Sequence, residues 1–124
     1  MPWFRVEESF YSHPKVLALD RQWRAHDIGA WLLAGTWASQ QLTDGFVSAA
    51  SLKDLGIPSK TADRLVKAGL WEYTDDGYRF HDWSKYQPSR VDVLRRRESD
   101  RLRQQRGRDR QRRGHDPGSP PVTP

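Results

Sequence analysis

The chain has 124 residues, no cysteine, six tryptophans and a formal net charge of +5. That length gives one domain, the lack of cysteine excludes a disulfide framework and a thiolate metal site, and no apolar run approaches the roughly 20 residues of a bilayer-spanning helix. Charge is unevenly spread: residues 1–89 carry 10 Lys and Arg against 11 Asp and Glu, a net of −1, whereas residues 90–113 carry 11 Arg against 4 acids, a net of +7. The expected division is therefore a folded domain over 1–88, an Arg-rich helix or tail over 89–113, and a disordered C-terminus over 114–124.

In chain order, Trp3-Phe4-Arg5-Val6 reads as a short strand. Ser12 is placed to cap a short helix over 13–19, with Pro14 in its first turn, where proline is tolerated. Residues 20–24 are polar and read as a loop. A longer helix is expected from about Asp27 to Gln41. Ile28, Trp31, Leu32, Ala38 and Leu42 line one face, and Leu33, Ala34 and Trp37 widen it. An apolar surface over most of a helix's circumference implies burial on more than one side, by neighbouring elements and, in a homo-oligomer, by a second subunit. Gly35 costs about 1 kcal/mol against alanine there, so it marks a close approach by a neighbour. Trp31 and Trp37 read as core, with a protein-contact face as the competing reading.

Residues 45–86 carry most of the functional information. Gly45-Phe46-Val47-Ser48 is a short strand after a Thr43-Asp44-Gly45 turn. Ser48 caps a helix over 49–55 that Gly56 stops. Ile57-Pro58 forces an extended step, and Ser59 caps a second helix to about Ala68, closed by Gly69. Residues 70–74 and 78–81 form a hairpin around Asp75-Asp76-Gly77. The fold class is therefore mainly α with a small antiparallel β-ribbon (α+β), in the order of a winged helix-turn-helix with a basic C-terminal helix. In such domains the second helix of the pair enters the major groove of DNA.

On that second helix Lys60, Arg64 and Lys67 share one face, forming a basic stripe suited to groove or phosphate contact, with Thr61 beside it. A plain solvated face is the competing reading, since Asp63 lies among them. Arg79 on the hairpin is a weaker wing contact, because Asp75 and Asp76 at the tip repel DNA. Among the tail arginines, Arg95, Arg96, Arg97, Arg101 and Arg103 are the expected phosphate contacts. Such residues add salt-sensitive affinity without reading sequence; a protein-docking or solubilising tail is the alternative. Valine and leucine occur there without a heptad, so residues 89–106 are expected to be helical and interrupted at Gly107.

No catalytic constellation is expected. His81-Asp82 is similar to the adjacent pair of metal-dependent phosphohydrolases, but the further ligands are missing. There is no glycine-rich phosphate loop, nucleophile elbow or paired-carboxylate site. Neither cofactor nor metal is expected.

With these residues in view, the chain resembles the N-terminal winged-helix domain of phage replisome organisers, relatives of DnaD-type primosomal proteins. It is also similar to short helix-turn-helix proteins of actinobacterial phages and prophages. The resemblance rests on order and spacing: Trp3-Phe4-Arg5-Val6, then Phe10 and Pro14-Lys15-Val16, a long tryptophan-bearing helix, and Thr43-Asp44-Gly45-Phe46-Val47. Ala68-Gly69-Leu70-Trp71-Glu72, Asp76-Gly77-Tyr78 and Trp83-Ser84-Lys85-Tyr86-Gln87 follow, ahead of a basic helix. It implies binding of double-stranded DNA in replication initiation, homo-oligomerisation, contact with host or phage replication proteins, and a cytoplasmic place in a bacterial host. Unlike the longer members, this sequence has nothing after its basic segment. A transcriptional regulator of the same fold, or a protein-interaction adaptor with a basic tail, are the alternatives.

Overall fold

The computed structural model describes residues 3–114 and divides the chain into two units, Met1–Arg90 and Val91–Pro124. The first is a set of helices around a three-stranded antiparallel sheet; the described part of the second is one helix. The protein is thus mostly helical with a small sheet.

The strand expected at 3–6 does not form. Its backbone is taken instead by the side chain of Gln87: the Arg5 N–H donates to Gln87 Oε1 at 2.9 Å, and Gln87 Nε2 donates to the Arg5 carbonyl at 2.7 Å. One buried amide thus stands in for a strand partner and fixes the segment so that Phe4 enters the core. A 3-10 turn over Phe10–Ser12 leads to helix α1 (Pro14–Leu17). Its cap is His13, whose Nδ1 accepts from the Lys15 N–H, and not the expected Ser12, whose hydroxyl donates to the Ser9 carbonyl.

Helix α2 (Arg24–Gln41) begins a turn earlier than expected, where the Arg24 guanidinium donates to the carbonyls of Leu17 and Leu19. It buries one stripe, Asp27, Ala30, Trp31, Ala34, Gly35 and Ala38. Elements of the same chain do not bury the helix on several sides as expected: Leu32 and Leu33 are 47% and 51% exposed. Apolar residues on the far face widen the sequence pattern without being covered. The reading of Gly35 holds, since a Cβ there would clash with the outer edge of the Phe4 ring at Cζ.

Strand β1 (Phe46–Ser48) runs into helix α3 (Ala49–Asp54), with the Ser48 hydroxyl accepting from the Ser51 N–H. Gly56, at φ +77°, turns the chain. Helix α4 (Ser59–Lys67) follows, and Ser59 is its first residue, not its cap. Pro58 already has the extended backbone of a cap position, so the helix starts directly after it. Strands β2 (Trp71–Thr74) and β3 (Gly77–Phe80) form the hairpin, and the sheet order is β1-β3-β2. Gly77 faces Ser48 and Thr74 at once, and a Cβ there would strike the Val47 carbonyl. Helix α5 (Trp83–Tyr86) sends Trp83 into the core. The centre is aromatic: Trp31 lies 4.5 Å from Phe10, 5.0 Å from Phe4 and 5.9 Å from Phe80 between ring centroids. Trp31 is core, as its position implied, and Trp37 packs against that core while partly exposed.

The second unit's helix, α6 (Arg90–Gly114), is 25 residues long and passes through Gly107, correcting the expected break. One glycine costs a solvated helix only about 1 kcal/mol, and the arginines and glutamines around it are good helix formers. Of the disordered C-terminus expected over 114–124, Gly114 is instead the last residue of α6, and the rest lies outside the described residues. Among the described residues no helix is long and apolar enough to cross a membrane.

Candidate nucleic-acid interface

The turn at Gly56 and Pro58 sets α4 so that Thr61, Ala62 and Leu65 face the core, while Lys60, Asp63 and Lys67 face solvent. This corrects the expected contact set at two positions, Thr61 and Arg64. Thr61 is 1% exposed and cannot touch a groove. Arg64 turns back along the helix and donates from Nε and Nη2 to the two carboxylate oxygens of Asp27, both at 2.8 Å. Asp27 lies at 0% exposure on the buried stripe of α2. His26 Nδ1 stands 3.2 Å from the same carboxylate, and the Arg64 guanidinium also covers the Trp23 ring at 4.7 Å. Burial pushes the Asp27 carboxyl up, but the hydrogen bonds and charges of Arg64 and His26 outweigh it and hold it below its ordinary value. The same hydrogen bond raises Arg64.

What remains on the outer side of α4 is two lysines astride one acid, Asp63. That acid accepts from the Tyr73 hydroxyl at 2.9 Å and from the Tyr78 hydroxyl at 3.3 Å, tying α4 to the hairpin. Tyr73 is raised above an ordinary phenol chiefly by this hydrogen bond, and Tyr78 chiefly by burial, with Asp63 adding to it. Lys60 and Lys67 are exposed and keep the geometry a groove contact needs. Arg79 is exposed on β3, but strand alternation puts it opposite Glu72 and Phe46, on the other side of the sheet from Tyr78 and Phe80. The structure therefore does not bring Arg79 onto the α4 face.

On α6, Arg95, Arg96, Arg97, Arg101 and Arg103 are all exposed, as are Arg106, Arg108 and Arg110. Arg101 donates to Glu98 at 2.6 Å, which raises Arg101, and Arg103 lies 4.0 Å from Asp100. Pairs this exposed are worth little and can exchange for a phosphate. Sequence reasoning missed Asp27. The available signal was its register: it falls on the stripe of Ala30, Trp31, Ala34 and Ala38, and a carboxylate at a core position needs a cationic partner.

Elsewhere, an apolar recess of about 80 Å³ is lined by Phe4, Phe10, Trp31 and Phe80, with His13, Lys15, His81 and Asp82 also on its wall. His81 is engaged with Glu72 and, at 3.3 Å, with Asp82, which in turn pairs with Lys15 at 3.5 Å. Among the described residues no group of His, Asp and Glu is arranged to hold a metal ion. No family model, no curated protein and no solved structure matches the chain.

Proposed function

We propose that this protein binds double-stranded DNA as a small winged-helix protein with a basic helical extension, in a replication-initiation role like that implied by its resemblance to phage replisome organisers. The observation that carries the reading is α6: a 25-residue helix with 11 Arg against 4 acids, whose arginines from Arg90 to Arg110 are all exposed. A charge of +7 on one rod displaces counterions from a phosphate backbone, and arginine forks onto phosphate oxygens. The order of α2, β1, α3, α4 and the β2–β3 hairpin supports a winged helix, with α4 as the helix presented to the groove through Lys60 and Lys67. Arg64 acts within the protein as the tie between α4 and α2. A transcriptional regulator would use the same surfaces, and the DNA site it selects is what separates the two roles.

A second reading has its own support. The half-exposed Leu32 and Leu33 on α2, with Leu17 at 52%, leave apolar surface suited to a protein partner or a second copy. In that adaptor the basic helix docks on an acidic protein.

The test is fluorescence anisotropy of the full chain on duplex DNA at several salt concentrations, with and without Lys60→Ala/Lys67→Ala. Binding that weakens steeply with salt, and a slope reduced by about 2 in the double variant, is the expected result. Binding indifferent to both lysines overturns the role of α4, and no binding at low salt overturns the reading in favour of the adaptor.

A further inference from the structure

Helix α6 carries its arginines in two rows. At about 100° per residue, Arg97, Arg101 and Arg108 fall along one side of the cylinder, and Arg95, Arg103, Arg106 and Arg110 along the opposite side. The two sides between them hold different chemistry. One carries Glu98, Leu102, Gln105 and Asp109; the other carries Asp100, Gln104, Gly107 and Gln111, with Arg96 at its edge beside the second row. Every one of these positions is exposed.

A helix resting on one line of phosphates needs one basic row. Two rows on opposite sides are satisfied together only where phosphates flank the helix on both sides. We propose that α6 lies lengthwise in the major groove of duplex DNA, one arginine row on each strand's backbone; this rests on the DNA-binding reading above. The groove is about 12 Å wide and a helix with its side chains about 10–12 Å across, so the rows reach opposite walls at once. The deep groove of A-form RNA is too narrow for this, and a membrane surface presents one plane, which draws one row.

The same geometry orients the helix about its axis. The side with Asp100, Gln104, Gly107 and Gln111 faces the floor of the groove, and the side with two carboxylates and a leucine faces away. Glutamine pairs in bidentate fashion with adenine, and aspartate accepts from the cytosine amino group. Gly107 has no side chain, so the backbone can approach the base edges there. The glycine that interrupts nothing in the helix thus has a use.

The test uses the full chain, a DNA duplex of mixed sequence and an RNA duplex of the same sequence. R97Q/R101Q/R108Q removes one row and R103Q/R106Q/R110Q the other. Glutamine is as good a helix former as arginine, and circular dichroism verifies that helicity is kept. Each triple variant is expected to lower the salt slope by about 2–3 and the affinity at least tenfold. Dimethyl sulfate probing should show guanine N7 atoms protected by the wild-type chain. Gln104→Ala/Gln111→Ala should leave the slope intact while flattening preference among DNA sequences. A loss confined to one row, unprotected N7 atoms, or RNA duplex bound as tightly as DNA would each overturn the placement. If Lys60→Ala/Lys67→Ala weakens binding while neither row matters, the placement of α6 fails and the DNA-binding reading stands. If no duplex DNA is bound at all, that reading fails first.

Discussion

Replacing Arg64 by methionine isolates the contact that most separates this structure from a plain reading of its helices. Methionine keeps an unbranched apolar stem against Trp23 but removes both hydrogen bonds to Asp27. The Asp27 carboxylate, at 0% exposure, is then left with only the half-exposed His26 at 3.2 Å. Stranding a buried carboxylate in this way costs about 3–5 kcal/mol. A domain of this size has a stability of the order of 5–10 kcal/mol. At about 4–8 °C per kcal/mol, Tm should fall by at least about 12 °C.

The pH dependence gives a second, sharper readout. In the wild type Asp27 is depressed in the folded state, so its contribution is present above the unfolded carboxyl value and is lost as pH falls through the folded one. Without Arg64, burial acts almost alone and raises the folded value above the unfolded one. The penalty is then fully present at neutral pH and relieved on acidification. Thermal melts by circular dichroism from pH 4 to pH 8 should therefore show Arg64→Met recovering stability relative to wild type at the acid end. A variant that melts within about 2 °C of wild type at pH 7, where a 3 kcal/mol loss predicts far more, would refute the buried-pair argument.

Other contacts give their own outcomes. Gln87→Ala removes both hydrogen bonds that hold the backbone of Arg5 and should cost about 1–3 kcal/mol, with faster tryptic cleavage after Arg5 as the local signature. Gly35→Ala gains helix propensity but drives a methyl into the Phe4 ring, which is wedged among Trp31, Phe80 and Trp83. Overpacking of about 1–3 kcal/mol should win, and a raised Tm would contradict it. Asp63→Asn removes the charge beside two phenols, so an absorbance titration should show Tyr73 ionising at lower pH; Tyr78 should move less, because burial is its larger cause and persists. In the full chain, two α4 lysines and seven row arginines at about 0.9 each give a salt slope near 8, and a slope near 2 would mean that α6 is not engaged.

Local chemistry made much of the fold legible. The Ser48 cap, the Gly56 stop, the Pro58 step and the hairpin lie within a few residues of where sequence signals put them, because each is fixed by its own backbone preferences. The failures are long-range. Residues 3–6 look like a strand, and nothing local tells that their partner is a glutamine side chain 82 positions away. Leu32 and Leu33 look like core, yet hydrophobicity alone does not say which faces find a neighbour.

The basic stripe of α4 shows how the same limit reaches function. Spacing correctly puts Lys60, Arg64 and Lys67 on one face, and spacing is all that a helical wheel contains. Which of three cations is spent inside the protein depends on where a buried carboxylate lies in another helix, 37 positions away. The position of Asp27 on the apolar stripe of α2 was the one legible warning, because a charge there has to be matched. On α6 the row arginines Arg101 and Arg103 are engaged only by exposed i,i+3 partners, Glu98 and Asp100, which are weak competitors. Its helical wheel can therefore be read nearly at face value, and the opposed arginine rows are a firmer guide to a ligand than the stripe on α4.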